Sequence, residues 1–471
     1  MTLGLIRHEL LLLIRDRRMI VLFGIAALLL VGATWSGARG ASAQRDARDA
    51  AVARSRAQWD NIGEVNPHSA AHFGTYAFRP VSTLTAIDPG LDPFLGNVLR
   101  IEGHVQNEPG FSEASRSGAL VRFGRLQPAM ILQVLFPLLI VFGAFASVTE
   151  DRESGRLRLL LVQGASVGKI LAAKAMAWWA LSLAVLVGSL AVGQLISGVG
   201  TDGAVEPSRL LLLALTYAAW LGIVCLGTVT FSAAARQGRG ALAALLLVWI
   251  AWVVVLPRIA GGVAGALHPL PTRVALETAK DDDRRQGLDG HNSEDTRRVA
   301  LEQRVLAEYG VDKIEDLPIN FDGIVMQADE EYGNEVWDRH FGEVTRVLDQ
   351  QRGVLRLAGW VDPLLAVRRL SSSLAGTGID QSRSFQSQAE SFRRELIERL
   401  NHEHAYGGSR TEDWSWTADA EFYRGLDNFE YQPPALKEVA IGGALDWAVI
   451  GTWLFGLVAA IAVFSRRMQF A

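Results

Sequence analysis

Six apolar runs constrain this chain more than any other feature: Met19 to Trp35, Ala129 to Val148, Ile170 to Ile196, Leu210 to Ala234, Ala241 to about Val263 and Ile441 to Phe464. Each comes near the ~20 mostly apolar residues that a helix needs to cross a bilayer core. The chain averages 49% hydrophobic and 20% charged residues, but the two kinds are segregated into separate stretches, as in a membrane protein. In the fifth run Pro257 and Arg258 follow Leu256, so that span either stops there or continues with a kink and a snorkelling arginine. Six spans are expected. The first, although it follows an arginine-rich start, is read as a retained helix, because "ATWSGARGASA" offers a weak cleavage site.

The short flanks set the orientation. With the N-terminus inside, the inner pieces carry Arg7, Arg15, Arg17 and Arg18, then Arg152, Arg156, Arg158 and Lys169, then Arg236 and Arg239, and last Arg466 and Arg467. Every inner flank is basic, as the positive-inside rule requires. The one short outer loop, Ser197 to Ser208, carries Asp202 and Glu206 and meets a base only at Arg209. Both termini are therefore expected in the cytoplasm.

Two long stretches, 36–127 and 268–440, then lie outside. Segments such as "RDARDAAVARSRAQWD" and "QSQAESFRRELIERLNHEH" place apolar residues at helical spacing among charges. A mainly helical outer domain follows, formed jointly by the two insertions. "NPHSAAHFGTYAFRPVSTLTAIDPGLDP" and "GSRTEDWSWTADAEFYRGLDNFEYQPP" read as ordered loops with short elements, their aromatics requiring something to pack against. The single cysteine, Cys225, falls in the fourth span, so the outer domain is held by packing rather than by an intramolecular disulfide.

Between the second and third spans lies "SVTEDRESGRLRLLLVQGASVGKILAAK". Leu157, Leu160 and Leu161 recur at spacings of three and four, which fits a short amphipathic helix on the inner membrane surface. Such a helix would expose Glu150, Asp151, Glu153, Arg156 and Arg158 to a soluble partner. Plain flanking charge accounts for the arginines but not for the three acidic residues among them.

This loop resembles the cytoplasmic loop of type-2 ABC transporter permeases (the ABC-2 family), in a subfamily with large extracytoplasmic insertions. There an acidic and basic cluster precedes a glycine, a leucine run, a turn with a serine, and a lysine opening the next span. The matching positions are Glu150, Asp151, Arg152 and Glu153, Gly155, Leu157 to Leu161, Ser166 and Lys174. "LIRHELLLLIRDRRM" is similar to that family's N-terminal interfacial helix, with Glu9 and the cluster Arg15, Arg17 and Arg18. Arg156 stands where a threonine is usual and Gly164 where a proline is common.

The resemblance implies an all-α membrane subunit with an interfacial helix over 1–18, spans at 19–35, 129–148, 170–196, 210–234, 241–263 and 441–464, a coupling loop at 149–169 and a tail at 465–471. It implies ATPase-coupling roles for Glu150, Asp151, Arg152, Glu153, Gly155, Arg156, Leu157 and Arg158. It also implies a place in the bacterial inner (plasma) membrane, a separate ABC ATPase chain, and a second permease copy or a related permease. No stretch reads G-x-x-x-x-G-K-[ST], so ATP and magnesium would act in that partner, with no cofactor bound directly. "GGVAG" at Gly261 is read as a flexible span end. Membrane lipid is an expected partner and nucleic acid is not.

The remaining constellations receive plainer readings. His68 and His72 are four apart, but Pro67 and Gly74 crowd them and no carboxylate or cysteine is adjacent, so a packed polar loop is expected and no metal. His402, Glu403 and His404 are read as a solvated helix end. Asp446 is the intramembrane candidate, although its place near a helix start suits stabilisation by water and the helix dipole. Three functions fit: an exporter-like permease, a transmitter of ATP-driven motion to the outer domain, and, with least support, an anchored sensor or enzyme. For a permease, peptides, lipids, siderophores and metal-related cargo are all open.

Overall fold

Asp16 separates the first two helices. In the computed structural model, which describes residues 2–469 apart from 111, 113, 115–125, 198–206 and 288–294, α1 (Thr2–Arg15) ends just before it. The Asp16 carboxylate then accepts the Arg18 N–H at 2.8 Å and starts α2 (Arg17–Asp60), a typical N-cap. Arg15, Arg17 and Arg18 are all exposed there.

Helix α2 is 44 residues long without a break, about 66 Å at 1.5 Å per residue. The first span and the amphipathic segment "RDARDAAVARSRAQWD" are thus one rod, since no Gly-Pro or Pro step interrupts them. A short helix α3 (Pro67–Phe73) and the antiparallel strands β1 (Thr75–Phe78) and β2 (Val98–Ile101) follow, with Thr75 paired to Ile101 and Phe78 to Val98.

Six helices among the described residues are long and apolar enough to cross a membrane: Arg17–Asp60, Pro128–Glu153, Val167–Val192, Pro207–Ala234, Gly238–Leu267 and Ala444–Arg466. The second holds α4 (Phe136–Ala144) and ends in a helical pair, α5 (Thr149–Glu153) and α6 (Arg156–Val162) following one another at its end. Then come α7 (Val167–Ser197), α8 (Pro207–Ala234), α9 (Gly238–Ile250) and α10 (Leu256–Leu267). Asp202 and Glu206 lie outside the described residues.

Pro257 and Arg258 neither end nor uncover the fifth span. A π-helical turn, Ala251–Val255, directly precedes α10 and accommodates the missing proline N–H, while the Arg258 guanidinium donates to the Val254 carbonyl at 3.0 Å. The second span uses the same device, with Ile131–Leu135 ahead of Pro137. Gly261 and its neighbours lie inside α10 rather than at a flexible end.

Helix α8 is the centre of the bundle. Its Tyr217, Trp220, Leu221 and Cys225 are buried among Phe136, Ile140, Trp178 and Ile450. The fifth and sixth spans leave Leu247, Ile259, Phe455 and Val458 exposed, an apolar surface suited to lipid.

The two insertions share a single core. Trp59, Ala70, Leu99 and Ile101 of the first pack with Phe385, Leu396, Leu400 and Tyr423 of the second. The second is built on α11 (Phe321–Ala358), α12 (Pro363–Ala375) and α13 (Ile379–Tyr406). Arg393 on α13 is fully buried and pairs with Glu330 and Glu390, both at 2.9 Å; such a charge is tolerable only with this pairing. The aromatic loops are ordered as their composition implies: the Trp59 indole donates to the Tyr423 carbonyl at 2.9 Å, and the Tyr423 hydroxyl to the Val65 carbonyl at 2.7 Å.

Helix α12 ties this domain to the membrane bundle. Its Ser371 hydroxyl shares a 2.7 Å hydrogen bond with Tyr217 and also donates to Asp88, whose carboxyl burial pushes above the usual carboxylate range. Arg369 reaches Asp446 on α14 (Ala444–Gln469) at 2.5 Å, and the Trp453 and Trp252 indoles donate to the Trp360 and Val361 carbonyls at 3.0 and 3.1 Å. Asp446 is therefore held by a guanidinium from the inserted domain, correcting the expectation of water and a helix dipole; the partner lies too far away in sequence for spacing to reveal.

Asp362 caps α12, accepting the Leu364 N–H at 3.1 Å, and burial pushes its carboxyl up to about 7. The folded state then holds a proton between pH about 4 and about 7 that the unfolded chain has released, so stability falls as pH rises through that window. Asp362→Asn, which keeps the capping oxygen, will raise the melting temperature at pH 8 by roughly 2–4 °C, about 2 kcal/mol. That gain should shrink toward zero near pH 4; thermal scans of both proteins across this range check it.

Candidate functional site: the loop between the second and third spans

The charged loop is two helices rather than the single one expected. Gly155 sits between α5 and α6 with φ of 76°, a left-handed conformation that favours glycine. The Arg152 carbonyl accepts the Gly155 N–H at 3.3 Å, and α6 restarts with Gly155 as its N-cap. Gly164, with φ of 86°, makes the turn into α7. A proline cannot take that φ, so the turn here differs from one built on proline.

Every element around the loop is joined to it by charge. Asp151 and Lys174 are buried, their side chains each 5% exposed, and the Lys174 ammonium lies 2.7 Å from the Asp151 carboxylate. Lys174 also contacts both oxygens of Glu9 on α1 at 3.0 Å. Arg156 completes the set, 2.9 Å from Asp151 and 3.3 Å from Glu150. Glu9, Asp151, Lys174 and Arg156 thus link the interfacial helix, α5, the third span and α6.

The loop's other side grips the end of the fourth span. Arg152 donates to the Ala235 and Ala233 carbonyls at 2.7 and 2.8 Å, satisfying acceptors that a helix C-terminus leaves open. The Ser232 hydroxyl oxygen accepts the N–H of Val148 at 3.0 Å and of Thr149 at 3.4 Å.

This geometry corrects one expectation. Asp151 is an internal strut, not an exposed charge, because two cations converge on it. Leu157 is buried as well, against Ala165 and Ile170, with Leu5, Leu160 and Leu161 beside it. The apolar side chains that α6 turns outward are Leu159 and Val162, 63% and 80% exposed, and Glu150, Glu153 and Arg158 of the loop are exposed as well. Spacing alone identified an amphipathic helix but not what its buried face packs against. The available signal was Glu9, a lone acid in "HELLLL", and Lys174, a lone base in an apolar run; each needs a partner once buried.

Two histidine expectations also change. His404 is buried, 3.5 Å from Asn320 and against Trp414, and burial lowers its pKa; only His402 of that pair is solvated. Pro67 and Gly74 do not crowd His68 and His72 out of a helix. They bound one, Pro67 at its first turn and Gly74 as its C-cap with φ of 66°.

Six helices long and apolar enough to cross a membrane, with a charged, glycine-hinged loop between the second and third, define a multi-pass membrane protein. The profile of the ABC-2 family transporter proteins matches residues 3–289, more than half of the chain, and the chain belongs to that family. Residues 274–432 match a domain of unknown function, DUF3526, which corresponds to most of the second insertion. No curated protein matches the chain. ABC-2 membrane subunits are in general non-catalytic and work with an ABC ATPase.

Proposed function

We propose that this chain is the membrane subunit of an exporter-like ABC transporter, driven by a separate ATPase whose groove receives the α5–Gly155–α6 unit. The permease would act as a pair, with a second copy or a related permease, in a bacterial inner membrane with both termini cytoplasmic. One observation carries the proposal: α6 exposes Leu159 and Val162 while the same loop is fixed to α1, α7 and the end of α8 by buried ion pairs and caps. A partner pushing on that unit would move the N-terminal helix and two membrane spans together.

Tag-directed purification in mild detergent should bring down a second chain carrying a P-loop; its consistent absence counts against the proposal. Glu153→Lys with Gly155→Pro should weaken that association by about tenfold or more, since one change sets a like charge against docking and the other is incompatible with φ of 76°. Topology has its own check. In a Cys225→Ser background, cysteines placed at the exposed positions Ser42 and Ser387 should react with impermeant maleimide from outside intact cells, and reaction only from the inside would refute the orientation.

A mechanical role without substrate passage draws on a different observation, the unbroken α2. A rod of about 66 Å entering the inserted domain would carry a tilt of the bundle directly to that domain. Substrate-stimulated ATPase activity in liposomes favours export; nucleotide-dependent motion of the domain without such stimulation favours the mechanical role.

A further inference from the structure

Three histidines from distant parts of the first insertion meet on one face of the inserted domain. His68 and His72 lie one turn apart on α3 with their Nε2 atoms 3.1 Å apart, and His104, beyond β2, brings its ring to 5.4 and 5.2 Å from theirs, centroid to centroid. One ring nitrogen from each falls within 4.8 Å of the others. We propose that His68, His72 and His104 form a binding site for a borderline divalent transition metal ion of the zinc, nickel or copper class.

The surroundings fit this chemistry. His104 has φ of 62°, an uncommon conformation for a residue with a side chain. It is held there by Glu330, which accepts its backbone N–H. Its Nδ1 lies 3.2 Å from both Asp329 and Glu330. A carboxylate turned onto Nδ1–H would fix the tautomer in which Nε2 offers a lone pair, the usual support for a metal-bound imidazole. The carboxylates are themselves fixed, Asp329 by Arg284 at 2.8 Å and Glu330 by the buried Arg393 at 2.9 Å. Ligands at about 2.1 Å from a tetrahedral ion stand roughly 3.4 Å apart, so the His68–His72 spacing is already suitable and His104 needs only a small ring movement. Three imidazoles suit zinc, nickel or copper rather than magnesium or calcium, which prefer oxygen. His72 is exposed, giving the ion a way in. The ligands come from the first insertion, whereas the two carboxylates and Trp414, 5.6 Å from His68, come from the second. Metal binding would therefore favour the docked arrangement of the two.

The test uses tag-free, full-length protein in detergent, stripped with chelator and titrated calorimetrically with Zn2+, with metal content measured after gel filtration. One zinc per chain is expected, displaced by Ni2+ or Cu2+ but not by Mg2+ or Ca2+. His72→Ala and His104→Ala should each weaken binding by about 100-fold or more, Asp329→Asn by about 10- to 100-fold, and His402→Ala not at all. Absence of stoichiometric zinc binding, or binding unchanged in His72→Ala, would overturn the proposal; that position is exposed, so its replacement leaves folding out of the comparison.

Discussion

Lys174→Ala will cost this protein about 3–5 kcal/mol of stability, the usual penalty for removing one partner from a buried ion pair, and will disconnect the loop from the membrane helices. The ammonium stands between Asp151 and Glu9, at 2.7 and 3.0 Å. Without it two acids face each other in a site where Asp151 is nearly closed to water and Glu9 mostly so. Arg156 remains beside Asp151, but among the described residues no second cation pairs with Glu9. A variant that neutralises all three, Lys174→Met with Asp151→Asn and Glu9→Gln, should recover much of the lost stability, because removing a charge set together avoids the unpaired charge. It should not recover coupling, since the struts joining α1, α5 and α7 are gone. Detergent melting curves and ATPase coupling, measured on the same preparations, separate the two effects. A single variant as stable as wild type would show that Lys174 is not buried as a partner of these acids.

Much of the membrane part was legible in the sequence because the bilayer permits so few solutions. A span must be apolar for its full length and must satisfy its own backbone, so six runs of residues translate directly into six helices. The limits of α2 were not legible. Hydropathy marks where the apolar residues stop, at Trp35, whereas the helix ends only at Asp60 because nothing in between breaks it. Pro257 shows the converse: a proline that ordinarily marks a boundary was absorbed by a π turn, a backbone adjustment with no side-chain signature.

The functional loop was half legible. Its position, its glycine and its mixture of charges stand out locally, but the sorting of those charges into struts and exposed groups depends on Lys174, Glu9, Ala233 and Ala235, which tertiary packing brings there. Asp446 and Arg369 were separated for the same reason, as were His68 and His72 from His104. Periodicity reports which residues share a face of one helix; it does not report what that face meets. Arg156, the departure from the usual threonine, is explained only by the structure, as the second cation on Asp151.

The outward face of α6 gives the most direct test of where a partner docks. Leu159→Asp with Val162→Asp should leave the permease folded and inserted, because both side chains are exposed and outside the packed clusters, and surface changes of this kind usually stay within about 0.5 kcal/mol. The same pair should reduce copurification of the ATPase by about tenfold or more, since a carboxylate pressed into an apolar contact must be desolvated without a partner. Leu157→Ala should behave oppositely. It opens a cavity against Ala165 and Ile170, costing about 2–4 kcal/mol, yet it leaves the outward surface intact, so the ATPase should still be recovered with whatever fraction stays folded. Fluorescence-detected gel filtration reports the fold, and quantitative pull-down reports the partner. If the aspartate pair bound the ATPase as tightly as wild type while Leu157→Ala released it, the docking face would be the inner one, and α6 would have to swing about Gly155 to present it.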